Sequence, residues 1–333
     1  MTMSNLPVTP EVVGQQLSAE QSSLPRRQQF DLQLARPFIY KSVSEETRAA
    51  YTRAIREFFH FVGDLHPKEV APGHVINYRD HLRTNKRRKA NTVATKLAIV
   101  RSFFEYLKAG GIIALNPAST KLVTPPELPT EPRGRALKPK EVRYLLTGPD
   151  RSKPEGARDY AMILVMLRLS LRLAEVSALQ VSAIRWSHGR WVLRCKIKGG
   201  KEETWPLPKD VKEIIDDYLK LDAPRRRTLH SDGPEAYLFQ PLVNYRSLIF
   251  DKPLSPRMIQ KIVARWGEFT GIGRVTPHDL RRTVVTKLLN DGRSYREVQM
   301  VTKHKDPKTI MRYDHARENL DSSPVNSLNW DSD

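Results

Sequence analysis

The sequence predicts a mainly α-helical protein with one small antiparallel β-sheet, divided into two domains. Apolar residues recur at helical spacing over most of the chain, and one stretch reads as strands joined by tight turns. A proline-rich segment interrupts the helical pattern near residue 120. The length of 333 residues suits two domains better than one.

The first domain is predicted to be a helical unit over residues 41–117, preceded by a flexible arm over residues 1–40. The arm contains Pro, Gln, Ser and scattered charges with little periodicity. The stretch "SEETRAAYTRAIREFFHFVG" then places apolar residues at helical spacing and ends at Gly63. A second helix is predicted in "APGHVINYRDHLRTN". A third is predicted in "NTVATKLAIVRSFFEYLKAGG", with Asn91 as its N-cap and Gly110 beyond its end.

The chain is strongly basic, with 56 Lys and Arg against 37 Asp and Glu, a net charge of +19 and a pI near 10.0. Such a chain commonly binds a polyanion, most often nucleic acid. An anionic membrane is the competing partner, but no Lys-rich amphipathic helix, lipidation signal or long apolar run supports it. The loop "NKRRKAN" is the first candidate DNA contact, through Lys86, Arg87, Arg88 and Lys89.

A proline-rich segment over residues 118–135 is predicted to link the two domains. Prolines at 117, 125, 126, 129, 132 and 139 exclude regular helix over most of it and favour a stiff, extended connection. The second domain, residues 136–333, is predicted to hold several helices around one sheet. That sheet is expected in "SAIRWSHGRWVLRCKIKGGKEETWPLP", as three strands with turns at "SHG" and "KGG".

The single cysteine, Cys195, lies in a predicted strand, where a small core residue is its expected role. One cysteine excludes an intramolecular disulfide, and a zinc site would need further ligands. The N-terminus has no basic segment followed by an apolar one, so no secretory signal is predicted. The expected location is therefore the cytoplasm.

Arg172 and Glu175 are the first candidates for chemistry. Ser170 is predicted to cap a helix in "LSLRLAEVSAL", which places Arg172 in the first turn and Glu175 on the same face. A surface ion pair is the ordinary interpretation. The leucines around Arg172 favour another, because an arginine among apolar residues needs a partner or a bound anion.

Lys198 is the second candidate, at the tip of a predicted hairpin in "KIKGGKEE". A lysine entering a glycine turn can reach outward as a point charge. Taken alone, it is more simply a solvated lysine, and Lys196 and Lys201 are close competitors.

His278 and Arg281 are the third group. The stretch "VTPHDLRRTVVTKLLNDG" predicts a helix with Thr276 as N-cap and Asp279 completing a capping box. His278 then lies in the first turn with Arg281 on the same face, an arrangement that suits a phosphate. A polar helix face explains both residues about equally well, and Arg282 is expected to point elsewhere.

His304 and Tyr313 lie in "VTKHKDPKTIMRYDHA". His304 follows a helix predicted to begin after Ser294 and to end near Lys303, where a histidine more often contacts the helix end. Tyr313 belongs to a predicted short helix, and packing at the edge of a core is its simplest explanation.

Together these residues meet the needs of one reaction, attack on a phosphodiester. Two guanidinium groups can balance the charge that builds on the non-bridging oxygens. A nucleophile, a route for its proton and an acid for the leaving oxygen complete the set. Neither a metal nor any other cofactor is predicted.

The order Arg…Lys…His-x-x-Arg…His…Tyr resembles the tyrosine recombinase family, also called phage-integrase-like recombinases. The resemblance lies in "LSLRLAEVSAL", "IKGGKEETWPL", "TPHDLRRT" and "KHKDPKTIMRY", and it covers about residues 41–318. Two positions depart from the family pattern. Ser170 stands where a glycine is usual, and Thr302 and Lys303 stand where Leu-Gly usually precedes the second histidine.

The resemblance implies a two-domain clamp on DNA, with a helical DNA-binding domain and a catalytic domain. Tyr313 would attack one strand to form a 3′-phosphotyrosyl link. Lys198 would protonate the leaving 5′ oxygen, and His278 would assist proton transfer at the nucleophile.

The remaining members of the set would handle the phosphate itself. The resemblance implies that Arg172 and Arg281 clamp it, that His304 donates a hydrogen bond to it, and that Glu175 orients Arg172. Arg312 and His315, which lie beside Tyr313 in "VTKHKDPKTIMRYDHA", have no implied role.

The implied function is site-specific recombination of double-stranded DNA through a Holliday junction, by a homotetramer associated with the nucleoid, with accessory proteins left open. Integration, excision, resolution and inversion would share this active site. Two alternatives remain: a DNA-relaxing enzyme of the type IB topoisomerase kind, and a non-catalytic DNA-binding protein on the same fold. The tail over residues 319–333, with Leu328 and Trp330, would either dock on a neighbouring protomer or fray.

Overall fold

The computed structural model describes residues 29–128, 134–197, 200–242, 252–304 and 306–314. The chain divides into two compact units, Met1–Pro129 and Thr130–Asp333, with a boundary inside the predicted linker. It is mainly helical with one three-stranded antiparallel sheet, which confirms the predicted fold class. Within the described ranges, no helix is both long and apolar enough to cross a membrane.

The first unit is built from helices. They are α1 Leu32–Tyr40, α2 Glu45–Phe61, α3 Pro72–Thr84 and α4 Ala90–Ala109, with a short 3₁₀ helix at Pro67–Glu69. Ser44 caps α2 by accepting the Thr47 N–H, and the chain leaves α2 through Gly63, whose φ of 75° suits a glycine. Gly110 follows α4, as predicted.

Aromatic rings form the centre of the first unit. Phe58 meets Tyr78 and Phe104 edge-on, with ring centroids 5.2 and 6.0 Å apart. Phe59 stacks on Phe30 at 3.6 Å. Because these rings come from α2, α3, α4 and the chain before α1, burying them holds the helices together.

Three expectations for this unit need correction. The predicted arm is wrong for its last residues, because α1 is capped by Asp31 and buries one face; Pro37 within α1 hides the helical pattern. Helix α4 begins at Ala90 with Lys89 as its N-cap, so Asn91 lies too far inside the helix to cap it. Residues 1–28 lie outside the described residues.

The third correction concerns the start of the predicted linker, which packs on the first unit. Ala118 and Val123 are buried in its core. Arg101 donates from Nε to the Ala118 carbonyl at 2.8 Å. Proline excluded helix here, as expected, but an extended segment can still bury apolar side chains.

The second unit contains the remaining α-helices and the strands, with a short 3₁₀ helix at Val181–Ala183. They are α5 Pro139–Thr147, α6 Pro154–Leu169, α7 Leu173–Ser177, β1 Ile184–Ser187, β2 Arg190–Lys196, β3 Glu202–Pro206, α8 Lys209–Thr228, α9 Pro256–Phe269, α10 Pro277–Asn290, α11 Tyr295–Thr302 and α12 Lys308–Met311. Helix α6 is buried almost all round, from Ala161 through Met166, so it is the central helix around which the others pack.

The sheet follows the predicted hairpins. β2 lies between β1 and β3, with Trp186 opposite Trp191 and Cys195 opposite Glu203. Gly189 has a φ of 72° in the first turn. Cys195 packs against the core as a partly buried residue, and burial raises the pKa of its thiol to about 12, which keeps it protonated.

The chain entering the second unit is bonded to the start of α10. The Leu137 N–H donates to Thr283 Oγ1 at 2.8 Å, and the Arg135 N–H donates to Asp279 Oδ1 at 3.1 Å. Arg282 donates to the Gly134 carbonyl. Gly134 has a φ of 90°, and a side chain there would collide with Asp279. The entry segment and the helix that carries His278 and Arg281 are therefore one packed piece.

Candidate active site

The first turn of α10 is held by the predicted capping box. Thr276 Oγ1 accepts the Asp279 N–H at 3.2 Å, and Asp279 Oδ2 accepts the Thr276 N–H at 2.9 Å. Asp279 is buried, so this box is sheltered from solvent. It fixes the direction in which His278 and Arg281 leave the helix.

Arg172 is held by a different local structure from the one predicted. Ser170 does not begin a helix; it ends α6 in the left-handed conformation, with a φ of 53°. Arg172 itself is the N-cap of α7, and Glu175 accepts both its backbone N–H at 2.7 Å and its Nη1 at 3.0 Å. Glu175 is buried while Arg172 is partly exposed, so the pair is more sheltered than a surface ion pair.

Arg281 is buried, with 5% of its surface exposed, and is held by neutral groups. Its guanidinium donates to the carbonyls of Ser170 and Thr302, and Nη2 lies 3.1 Å from His304 Nε2. No Asp or Glu oxygen of the described residues lies within 4.0 Å of it. Burial first, and then the charge of Arg172, lowers the pKa of Arg281 to about 10.

His304 follows Lys303, which ends α11 in the left-handed conformation with a φ of 52°. Thr302 Oγ1 lies 2.8 Å from His304 Nδ1 and donates its own proton to the Val298 carbonyl at 2.8 Å. Because the Arg281 guanidinium can only donate, His304 Nε2 must accept and Nδ1 must carry the proton. Burial, and then the positive charges of Arg281 and Arg172, lower the pKa of His304 to about 4. The ring is therefore neutral at pH 7.

Tyr313 follows α12 and is buried against Val285, Val298 and Ile310. Its Oη lies 3.3 Å from His278 Nε2. Tyr313 therefore packs at the edge of a core, as its sequence pattern suggested, while its hydroxyl reaches His278.

His278 is exposed as a residue, but its Nε2 makes a partly buried contact with the Tyr313 hydroxyl. Partial burial of the ring lowers its pKa, and the charge of Arg281 lowers it further. A neutral imidazole beside a phenol can accept a proton.

Sequence reasoning missed the role of Arg282. It does not point away from the site: its guanidinium lies over the Tyr313 ring, 5.4 Å from the centroid. It also missed that the carbonyls of Ser170, Thr302 and Lys303 hold the arginines, with the Lys303 carbonyl 3.4 Å from Arg172 Nη2. The sequence did carry one signal for these carbonyls: Ser170, Thr302 and Lys303 are the positions at which the chain departs from the family pattern.

The other predicted site residues are not part of this described cluster. Lys198 lies outside the described residues. Its competitor Lys201 pairs with Glu203 at 2.7 Å. Lys86, Arg87, Arg88 and Lys89 lie in the first unit and are all exposed.

Comparison with family models gives two matches. The phage integrase family matches residues 135–319, and the phage integrase N-terminal SAM-like domain matches residues 30–110.

Known proteins are similar along most of the chain. A tyrosine recombinase XerC of Roseiflexus sp. (strain RS-1) is 30% identical over 292 residues, covering 86% of this chain and 88% of its own. A tyrosine recombinase XerC of Herpetosiphon aurantiacus is 29% identical over 297 residues, covering 87% and 90%.

Solved structures share the fold at low identity. A lambda integrase dimer bound to a COC′ core site has a TM-score of 0.64 at 14% identity, covering 90% of this chain and 96% of that one. The Tn1549 transposon integrase with circular intermediate DNA has a TM-score of 0.63 at 16% identity, covering 89% and 98%.

Proposed function

This chain belongs to the phage integrase family and is a tyrosine recombinase, an enzyme of site-specific DNA recombination, and we propose that the cluster around Arg281 is its active site. The proposed catalytic residues are Arg172, Lys198, His278, Arg281, His304 and Tyr313, with Glu175 orienting Arg172. The observation that carries the assignment is the Tyr313 hydroxyl, 3.3 Å from His278, in a cluster with Arg281, which is held by neutral groups, and Arg172, which pairs with Glu175.

In the proposed cleavage step, Tyr313 Oη attacks the phosphorus of one DNA strand. His278 accepts the phenol proton as the Oη–P bond forms and the P–O5′ bond breaks. Lys198 gives a proton to the departing O5′, which leaves as a hydroxyl. In the rejoining step a 5′ hydroxyl attacks the phosphotyrosine and both protons return, so no external energy source is needed.

Arg172 and Arg281 would bind the non-bridging oxygens of the scissile phosphate. The carbonyls that hold Arg281 fix its direction without neutralising its charge, which preorganises it for an anion. A bound phosphate would also raise the pKa of His304, because an adjacent anion favours the charged ring. His304 Nε2 then becomes a donor to the phosphate.

The partner we propose is double-stranded DNA carrying a specific recombination site. Exchange between two duplexes requires four cleavages, so the active assembly is proposed to be a homotetramer on synapsed DNA, working in the cytoplasm. Contacts to phosphates should dominate affinity, and the exposed Lys86, Arg87, Arg88 and Lys89 are proposed to contribute. A steep fall of affinity with salt is expected.

The assignment is tested with a nicked DNA target, in which loss of a short fragment after cleavage traps the covalent intermediate. The wild-type chain should form a protein–DNA adduct that survives denaturant. Tyr313→Phe should form none while still binding the target. Tyr144→Phe, which alters an exposed tyrosine of α5, is the matched control and should form the adduct normally. An adduct in Tyr313→Phe would show that another residue is the nucleophile.

A further inference from the structure

Lys303 has a backbone conformation that is strained for a lysine. Its backbone is left-handed, with a φ of 52°, and the family pattern has a glycine there. For a residue with a side chain this conformation costs about 1–2 kcal/mol. The conformation itself has a clear use, because it turns the Thr302 carbonyl to Arg281 and the Lys303 carbonyl to Arg172. A glycine would serve that use with less strain, so the lysine side chain calls for its own explanation.

The side chain of Lys303 crosses from α11 to β3. Its Nζ lies 3.1 Å from Glu203 Oε2 and 5.3 Å from the centroid of the Trp205 ring. The Lys303 and Glu203 side chains are mostly covered, with 21% and 18% of their surfaces exposed. A cation in such a place is held more firmly than one in a solvated surface pair.

A second bond joins the same two segments independently. Trp205 is buried in β3, and its Nε1–H donates to the Val301 carbonyl at 2.7 Å. The end of α11 and the residue that follows it are thus bonded to β3 twice, once through the Val301 carbonyl and once through the Lys303 ammonium.

Glu203 receives a second cation from its own hairpin. Its Oε1 lies 2.7 Å from Lys201 Nζ, and these bonds from Lys201 and then Lys303 lower the pKa of Glu203. The carboxylate is therefore charged at neutral pH. Lys201 is next to the turn that joins β2 to β3, where the Ile197 N–H donates to the Lys201 carbonyl at 2.8 Å.

We propose that Lys303 is a positioning residue, which uses its ion pair with Glu203 to fix the β2–β3 hairpin against the segment that carries His304. The hairpin bears the lysine that protonates the leaving 5′ oxygen, so the ion pair sets where that proton is delivered. Lys303 and Glu203 need not touch the DNA. The inference rests on the proposed function, since it concerns the leaving-group proton of that reaction.

The pair also favours Lys198 over Lys201 as the general acid. Lys201 is engaged by Glu203 at 2.7 Å, and donation to the leaving oxygen would require breaking that ion pair. Lys303 pairs with the other oxygen of the same carboxylate, so Lys201 belongs to the ion-pair network around Glu203.

The test compares two nicked DNA targets that differ in one atom. One has the normal phosphodiester, and the other has sulfur in place of the bridging 5′ oxygen at the cleaved bond. A thiolate leaves without a proton, so cleavage of the sulfur target does not depend on a well-placed general acid. The variants are Lys303→Gly, which also relieves the backbone strain, and Glu203→Gln, which keeps the size of the side chain.

Both variants should cleave the oxygen target about 10- to 100-fold more slowly in a single turnover, the loss typical of a misplaced catalytic group. On the sulfur target both should stay within about threefold of wild type, because no proton is required. Lys303→Arg, which can keep the ion pair, should largely restore the oxygen reaction. Lys209→Met, which breaks an exposed ion pair on α8, is the control and should be unchanged on both targets.

Equal losses on both targets, or no loss on either, would overturn the positioning role. A weaker affinity for DNA in Lys303→Gly, measured in the Tyr313→Phe background with a shallower salt dependence, would instead make Lys303 a phosphate contact. If wild type forms no adduct with either target, the proposed function itself fails.

Discussion

Two buried arginines in the second unit show how differently one side chain can be used. Arg226, on α8, has 2% of its surface exposed. Its Nε donates to Asp222 Oδ2 at 2.8 Å and its Nη2 to Tyr218 Oη at 2.9 Å, and two backbone carbonyls accept further hydrogen bonds from Nη1 and Nη2. Asp222 also receives Arg225 through both carboxylate oxygens.

Arg281 is buried almost as deeply but contacts no carboxylate within the described part of the chain. Carbonyls and the ring of His304 surround it, and its pKa is lowered to about 10 by burial and by Arg172. An arginine that stabilises the fold is buried with its own anion. One held only by neutral acceptors is poised for an anion that arrives from outside.

Among the variants that test this contrast, Arg281→Gln should have the largest effect on cleavage. We expect cleavage of the nicked target to fall about 10³-fold or more, because a preorganised donor to the phosphate is lost. The free energy of unfolding should be unchanged or higher, since a buried charge without a carboxylate is removed. Single-turnover cleavage and urea denaturation measure the two effects. Cleavage within tenfold of wild type would contradict the assignment.

Arg226→Ala should give the opposite result. Removing one partner of a buried ion pair lowers the free energy of unfolding by about 3–5 kcal/mol, and the lower end is expected because Arg225 still pairs with Asp222. Cleavage per folded molecule should match wild type at a temperature where the variant is folded. A stable variant with impaired cleavage would place Arg226 in the chemistry.

Glu175→Gln tests the carboxylate that holds Arg172. The amide can still accept the Arg172 N–H but loses the charge that holds Nη1, so Arg172 should be less well placed. Cleavage should fall about 10- to 100-fold, with little change in affinity for DNA. Glu175→Ala, which also removes the cap of α7, should be slower still. Equal behaviour of the two variants would refute this division of roles.

A pH dependence gives the smallest expected effect. The pKa of His304 is about 4 in the folded chain and near 6.5 when unfolded, so the unfolded state binds the extra proton between these values. Stability should therefore fall as the pH drops from 6.5 towards 4. After allowance for solvent screening the contribution is about 1 kcal/mol. The urea midpoints at pH 7 and pH 4.5 should differ less in His304→Gln than in wild type. An equal difference in the two proteins would show that His304 is not the source of the pH dependence.

Local pattern was enough to predict the elements whose causes are local. Helices α2 and α10 follow from periodicity and from their caps at Ser44 and Thr276, and the sheet follows from its turns. Helix α1 escaped prediction because Pro37 interrupts a pattern that tertiary packing nevertheless stabilises.

The sequence was enough to propose the members of the candidate site, but not the contacts that hold them in place. The residue types and their order identified the six catalytic candidates through the family resemblance. The support of Arg281 by the Ser170 carbonyl joins residues 111 positions apart, and no local pattern encodes such a contact. Arg282 was misjudged for the same reason, because its place over Tyr313 depends on how α12 returns to α10.

The bond from Leu137 to Thr283 provides a natural reporter in isotope-exchange experiments. The Leu137 amide proton is held by a side chain of α10, not by a backbone ladder, and Thr283 in turn donates to the Asp279 carbonyl one turn earlier. Deuterium can replace that proton only when the entry segment separates from the helix that carries His278 and Arg281. The exchange rate of a single amide at residue 137 would thus follow separation of the entry segment from α10 without any label on the candidate catalytic residues.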